Sequence, residues 1–170
     1  IGLTLKANKG PSAPEIIKLL DWQEETDHYI MVKERPFPCM DLLSFMQLHG
    51  GTFNESTARH IMRQVVHAKI CSENGIFHWD IKPENLLVNP DTMEVKLIDF
   101  GCGALMKKIS LQSLFWHKRI LSYKFTGKYH AKPTTVWSLG ILLFEMVCGD
   151  FPVAEDLYMT AAKIWTSPGL

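Results

Sequence analysis

The stretch HWDIKPENLLVN, residues 78–89, sets two carboxylates, a lysine and an asparagine between apolar residues, and its reading decides the rest of the chain. Asp80, Lys82 and Asn85 stand on a loop between one short strand, GIFHW at 75–79, and the next, LLVN at 86–89. That second strand runs into EVKLIDF, 94–100, through Asn89, Pro90, Asp91 and Thr92, a turn whose proline and aspartate supply the dihedral bias and the side-chain bonding. A return of this kind brings Asp99 back beside Asn85. An aspartate and an asparagine offer oxygens to a divalent ion, a second aspartate accepts a hydroxyl proton, and a lysine neutralises charge. Phosphoryl transfer to an alcohol requires this set of groups.

Working outward, NKGPSAP at 8–14 is a Gly/Pro-rich turn, after which the apolar runs EIIKLLDW (15–22) and YIMVKE (29–34) flank polar QEETDH. The pattern predicts an antiparallel strand pair. RPFP ends it, and Pro36 and Pro38 mark a stiff connector, because proline lacks an amide hydrogen and biases its predecessor away from helix. MDLLSFMQLHGG (40–51) then reads as a helix stopped by paired glycines. Asn54 caps a longer helix with Ala58, Ile61, Met62 and Val65 on one face, closing near Gly75, so the two form a helix hairpin. Thr134–Cys148 is apolar nearly all round and reads as the last clear helix, central in the fold, ended by Gly149 with Pro152 beyond. The opening IGLTLKANKG lacks an initiating methionine and starts inside helical periodicity, so a fragment is expected.

With 170 residues, zero formal net charge and 46% hydrophobic residues, the chain suits one globular domain or a piece of one. Balanced charge argues against nucleic acid or an anionic membrane surface as partner. The apolar run Val136–Val147 is broken by Ser138, Gly140 and Glu145 and is too short to cross a bilayer. Cys39, Cys71, Cys102 and Cys148 form no CxxC pair and read as reduced, buried thiols of a cytoplasmic or nuclear protein.

HWDIKPEN together with DFG at 99–101 resembles the catalytic loop and metal-binding motif of eukaryotic protein kinases, and the lysine two residues after the aspartate resembles their serine/threonine class. KERPFPCMDLL, KLIDFGCGALMK and TVWSLGILLFEMVCGDFP are similar to the Pim kinases, with a proline inside the hinge. The resemblance implies an α+β, bilobal protein-kinase-like fold, truncated: 1–33 a small-lobe remnant, 34–41 the hinge, 42–170 a large lobe incomplete at its C-terminus. It implies ATP and Mg2+ as cofactors, Asp80 as catalytic base and Lys82 as the phosphate-steadying lysine. Asn85 and Asp99 become metal ligands, and Glu34, Arg35 and Pro36 the adenine hinge, with Pro36 removing one backbone donor. Asp41 lies near the ribose, and Glu84 and Leu87 complete the nucleotide site. Carboxylates of Glu84, Asp41 and Asp150 around the cleft imply protein substrates with basic residues near the target serine or threonine, acted on by a monomer.

Other residues read more plainly. His78 is expected as a packed, hydrogen-bonded residue, Cys102 as a small buried hydrophobe, Trp137 as core, and Glu24, Glu25, Glu155 and Asp156 as solvated surface. Three departures from the family stand out. The glycine-rich loop, strand lysine and helix glutamate are not among the 170 residues. Loss of a single transition-state charge donor commonly costs on the order of 10²–10³ in rate. Trp79 replaces an arginine that would read a phosphate, which an indole cannot do. QSLFWHKRILSYKF (112–125) stands where the family shows a Gly-Thr pair and Pro-Pro-Glu; FWHKRILS, read one base later, permits FGTKEYCP, which suggests a displaced reading frame. The competing expectation is a pseudokinase fragment serving as an interaction module, or an incomplete gene product.

Overall fold

The computed structural model describes residues 2–8, 13–70, 76–78, 80–101, 104–105 and 131–161. Trp79, Cys71, Cys102, Gly75 and the 112–125 stretch lie outside the described residues. The element order is α1 (Gly2–Ala7), β1 (Leu19–Glu24), β2 (Tyr29–Lys33), β3 (Met40–Asp41), α2 (Leu42–Leu48), α3 (Glu55–Ile70), β4 (Ile76–Phe77), β5 (Leu86–Val88), β6 (Val95–Leu97), β7 (Ala104–Leu105), α4 (Ala131–Cys148) and α5 (Ala154–Ala161). Helices and short antiparallel strands are mixed, as an α+β kinase-like fold requires.

The predicted strand pair forms: β1 and β2 run antiparallel, with Trp22 opposite Met31 and Glu24 opposite Tyr29. A three-stranded sheet in the order β3-β5-β6 carries the site. Its register sets Asp41 opposite Leu87 and Leu87 opposite Lys96, and Met40 opposite Val88 and Val88 opposite Val95. Directly opposed residues share a face. Asp41, Leu87 and Lys96 are half-buried on one side, while Val88 and Val95 are buried on the other. Met40 and Asp41, at the end of the proline-marked connector, therefore belong to this sheet. The β5–β6 turn forms as the Asn-Pro-Asp-Thr sequence predicts: Asn89 Oδ1 accepts from the Asp91 and Thr92 amides at 2.9 and 3.1 Å. Gln64 of α3 then grips the turn, donating to Met93 O and accepting from Val95 N, both at 2.9 Å.

Side-chain caps place the helices. Asp41 accepts from Ser44 N at 2.8 Å and starts α2. Asn54 does the same for α3 through Thr57 N at 2.9 Å. Ala58, Ile61 and Val65 are buried on α3 and Met62 is half-buried, so the predicted apolar face is the one that packs. α4 begins three residues before the predicted start, with Pro133 in its first turn, where a missing N–H costs nothing. It is less central than its composition suggests. Leu142 and Met146 are fully buried, but Val136 is 61% exposed and Leu143 42%. Trp137 is half-buried, and Asp156, expected as solvated surface, is half-buried and accepts from Val153 N at 2.9 Å. Cys39 and Cys148 form no disulfide and are half-buried rather than buried. A further helix, α5, follows Pro152, so the helix expected to be the last clear one is not the last.

Gly149 closes α4 at φ +84°, its amide bonded to Glu145 O at 2.8 Å. A Cβ there would meet Thr52 Cγ2 at 2.9 Å and Gly51 O at 3.3 Å. Gly149→Ala should cost about 1–3 kcal/mol, read as a lowered midpoint in thermal unfolding; an unchanged midpoint would contradict this account of the helix end.

Candidate active site

The loop that carries Asp80, Lys82 and Asn85 is fixed from both sides. Pro83–Asn85 forms one 3₁₀ turn leading straight into β5, with Pro83 and Asn85 buried. The Ile98 amide donates to Asn85 O at 2.9 Å, which places Asp99 immediately beyond Asn85 in space, as the strand-turn-strand reading predicts. Asn85 Nδ2 donates both to Asp80 O and to Asp80 Oδ2 at 2.8 Å, and Lys82 Nζ lies 2.8 Å from the same Oδ2. Asp80 is only 8% exposed, so an uncompensated carboxylate there would be costly; the amide and the ammonium offset that cost. Both amide hydrogens of Asn85 are thus spent on Asp80, leaving its Oδ1 as the acceptor that a cation would use.

Asp99 sits at φ +58°, a left-handed conformation unusual for a non-glycine residue, and its Oδ1 accepts from Gly101 N at 2.9 Å. It is exposed, whereas Asp80 and Asn85 are buried. The donor set of one carboxylate and one amide oxygen is hard, and incomplete by itself. Mg2+ is usually held in this way, by one or two carboxylates with the remaining positions filled by phosphate and water. Among the described residues no cluster of three or more His, Cys, Asp or Glu offers a protein-only cage instead.

His78 behaves as the packed residue expected. It is 7% exposed, its ring meets Phe100 edge-on at 4.8 Å, and its Nε2 lies 2.9 Å from Ile98 O while Nδ1 faces the Asp80 amide at 3.4 Å. That pattern suits a neutral ring with the proton on Nε2. Burial holds its pKa below the ordinary 6.5, against the Ile98 carbonyl and the charges of Asp80 and Asp99. A base whose folded pKa is depressed contributes stability above its unfolded pKa, and loses it as pH falls toward the folded value. Unfolding free energy should therefore decline below about pH 6.5, by at most about 1.4 kcal/mol per pH unit from this group. His78→Phe should flatten that limb in denaturant titrations at pH 7 and 5.5, and an equal pH dependence in both proteins would contradict it.

The residues expected at the hinge and around the nucleotide lie on the connector between β2 and β3, on β3 and β5, and on the 80–85 loop. Arg35 is exposed and Pro36 half-buried, next to Phe37, which is 88% exposed. Asp41, expected near the ribose, binds Ser44 twice, its carboxylate taking both Ser44 N and Ser44 Oγ, at 2.8 and 2.7 Å. Burial alone would raise its pKa, but the Ser44 bonds outweigh burial and hold it below the ordinary value. Glu84 is exposed at the loop, and Asp150, also exposed, accepts from Phe151 N at 2.7 Å. Glu34 carries an interaction the sequence hid: its Oε1 takes Lys96 Nζ and the Lys18 amide, each at 2.8 Å. Burial would raise this carboxyl too, yet the bonds from Lys96 and Lys18 leave it lowered. Nothing local to Lys96 names a partner 62 positions away.

Residues 5–166 match the protein kinase domain family. Over 90% of its length the chain is 44% identical to the serine/threonine-protein kinase pim-2 of Danio rerio, covering 50% of that protein. It is 34% identical to the serine/threonine-protein kinase prk-2 of Caenorhabditis elegans over 88% of the chain and 34% of that protein. A carbon catabolite-derepressing protein kinase of Candida tropicalis is 35% identical over 84% of the chain and 23% of that protein. The chain thus spans half or less of the length of these relatives. With the catalytic-loop geometry above, the match over residues 5–166 means that this Pim-like chain belongs to the protein kinase family.

Proposed function

We propose that the protein transfers the γ-phosphoryl group of ATP to serine or threonine hydroxyls of protein substrates. The observation that carries this reading is the Asp80 carboxylate, buried yet held by Asn85 Nδ2 and Lys82 Nζ at 2.8 Å, with Asp99 tied alongside through the Ile98–Asn85 bond. Asp80 orients the substrate hydroxyl and takes its proton as the new oxygen–phosphorus bond forms and the bond to the ADP oxygen breaks. Lys82, bound to the same carboxylate, faces the group in transit and steadies its charge. Asn85 Oδ1 and Asp99 would hold Mg2+, which when bound neutralises charge on the phosphate oxygens. Asp41, Leu87 and the Glu34–Pro36 segment take the nucleoside end. Exposed carboxylates of Glu84 and Asp150 support a preference for basic residues near the target. Cys39 and Cys148, which form no disulfide, support a reducing compartment, cytoplasmic or nuclear.

The test is ligand-induced stabilisation. With Mg-ADP at ten times its Kd, the unfolding free energy should rise by about 1.4 kcal/mol, a shift of roughly 3–6 °C for a chain of this size. Asp99→Ala should remove the magnesium-dependent part. No shift at millimolar nucleotide would overturn the reading and leave a non-catalytic interaction module as the better account.

A further inference from the structure

The Lys96 ammonium donates to Glu34 Oε1 and to Pro14 O, both at 2.8 Å, and so joins three pieces of chain that are far apart in sequence. Glu34 is fixed twice more, its amide to Lys18 O at 2.9 Å and its Oε1 to the Lys18 amide. The 13–18 segment is in turn laid along β6: Leu97 N donates to Glu15 O at 2.7 Å and Ile17 N to Leu97 O at 3.1 Å. Asn8 closes the far side, accepting from Leu19 N at 3.0 Å and donating to Ile17 O at 3.3 Å. One residue past Leu97, the Ile98 amide holds Asn85, and Asp99 follows. In the sheet register Lys96 also stands beside Leu87. Hydrogen bonds therefore join the hinge to β6 at Lys96, and the chain leads from Lys96 through Leu97 and Ile98 to Asp99, three residues on.

We propose that Lys96 is a positioning residue that couples nucleotide binding at the hinge to metal binding at Asp99. This rests on the nucleotide-site reading given above. The physical ground is that Lys96 is 24% exposed at its side chain and Glu34 27%, so their attraction is less screened than that of a surface pair, and a carboxylate left without its cation would move toward water. Loss of the ammonium removes the direct bond between Glu34 and β6 and releases the Pro14 carbonyl, leaving Glu34 joined to that strand indirectly, through Lys18 and the 13–18 segment. The hinge is then held less tightly to β6, and a nucleotide seated on the hinge fixes the position of Asp99 less firmly. Coupling of this kind is a free energy shared by two sites and is reciprocal.

The experiment measures the Kd of ADP with and without Mg2+ in the wild-type chain, in Lys96→Met and in Lys96→Arg. The Kd without Mg2+ divided by the Kd with Mg2+ should be about 2- to 30-fold smaller in Lys96→Met than in wild type. Arginine should restore most of it by keeping a donor on Glu34. A purely structural role would lower thermal stability and weaken both constants alike, leaving the ratio unchanged, and that result overturns the inference. So does a restored fold in Lys96→Arg with a ratio no better than that of Lys96→Met. A wild-type chain that binds no ADP would instead overturn the nucleotide-site reading and this inference with it, an outcome distinct from the first two because it appears before any substitution is compared.

Discussion

Replacing Asp80 by asparagine should lower any phosphoryl transfer from ATP to serine that the protein catalyses by roughly 10²–10⁴-fold, the usual worth of a positioned general base. The substitution keeps size and shape, and Asn85 Nδ2 can still donate to the Asp80 main-chain carbonyl, so the loop should hold its turn. What disappears is the anionic oxygen that both Asn85 and Lys82 address. Nucleotide affinity should stay within about twofold, because the predicted nucleotide contacts come from the hinge, Leu87 and Asp99 rather than from Asp80; a change near 1.4 kcal/mol would already be tenfold. Steady-state rates on a serine peptide flanked by arginines, with ADP affinity measured in parallel, separate the two. Unchanged turnover in Asp80→Asn would refute the assignment of the base.

Leu86→Ala is expected to be the most damaging single change to stability near the site, at about 2–5 kcal/mol. Leu86 has no exposed surface and is the first residue of the central strand, directly after Asn85 and opposite Leu97. Truncation opens a cavity between the sheet and the core, where Val88, Val95 and Ile61 are also buried. For a chain of this length that cost lowers Tm by roughly 2–4 °C per kcal/mol. Leu86→Met, which conserves volume, should cost less than about 1.5 kcal/mol. If alanine and methionine proved equally tolerated in thermal unfolding, the strand would not be the packed floor of the loop that the burial indicates.

Much of the fold was legible because its signals are local. The Asn89–Thr92 turn and the Asn54 cap each depend on a side chain within a few residues of the backbone it bonds, and the Gly149 stop on the absence of one. The antiparallel pairing of β1 with β2 follows from two apolar runs and a short polar loop. Burial of helix faces was less legible. The composition of α4 reads as apolar on every side, yet Val136 and Leu143 are exposed, because exposure depends on which neighbours reach the helix rather than on its own residues. For Asp156 the reverse holds: a charged residue at the start of a helix can cap it instead of facing water.

The sequence by itself determined the chemistry of the loop. Asp80, Lys82, Asn85 and Asp99 are near one another along two strands and a turn, so their meeting follows from strand geometry, and their types limit what they can do. Only the tertiary structure decided how that loop is held and what it is tied to. The neutral state of His78 depends on burial against Phe100 and on a carbonyl 20 positions away. Glu34 and Lys96 meet across 62 residues, and Lys96 reaches Pro14 across 82. Contacts of that separation leave no periodicity or spacing in the chain. They exist because burial of the apolar face of β5 and β6 leaves the opposite face, with Asp41, Leu87 and Lys96, turned toward the hinge.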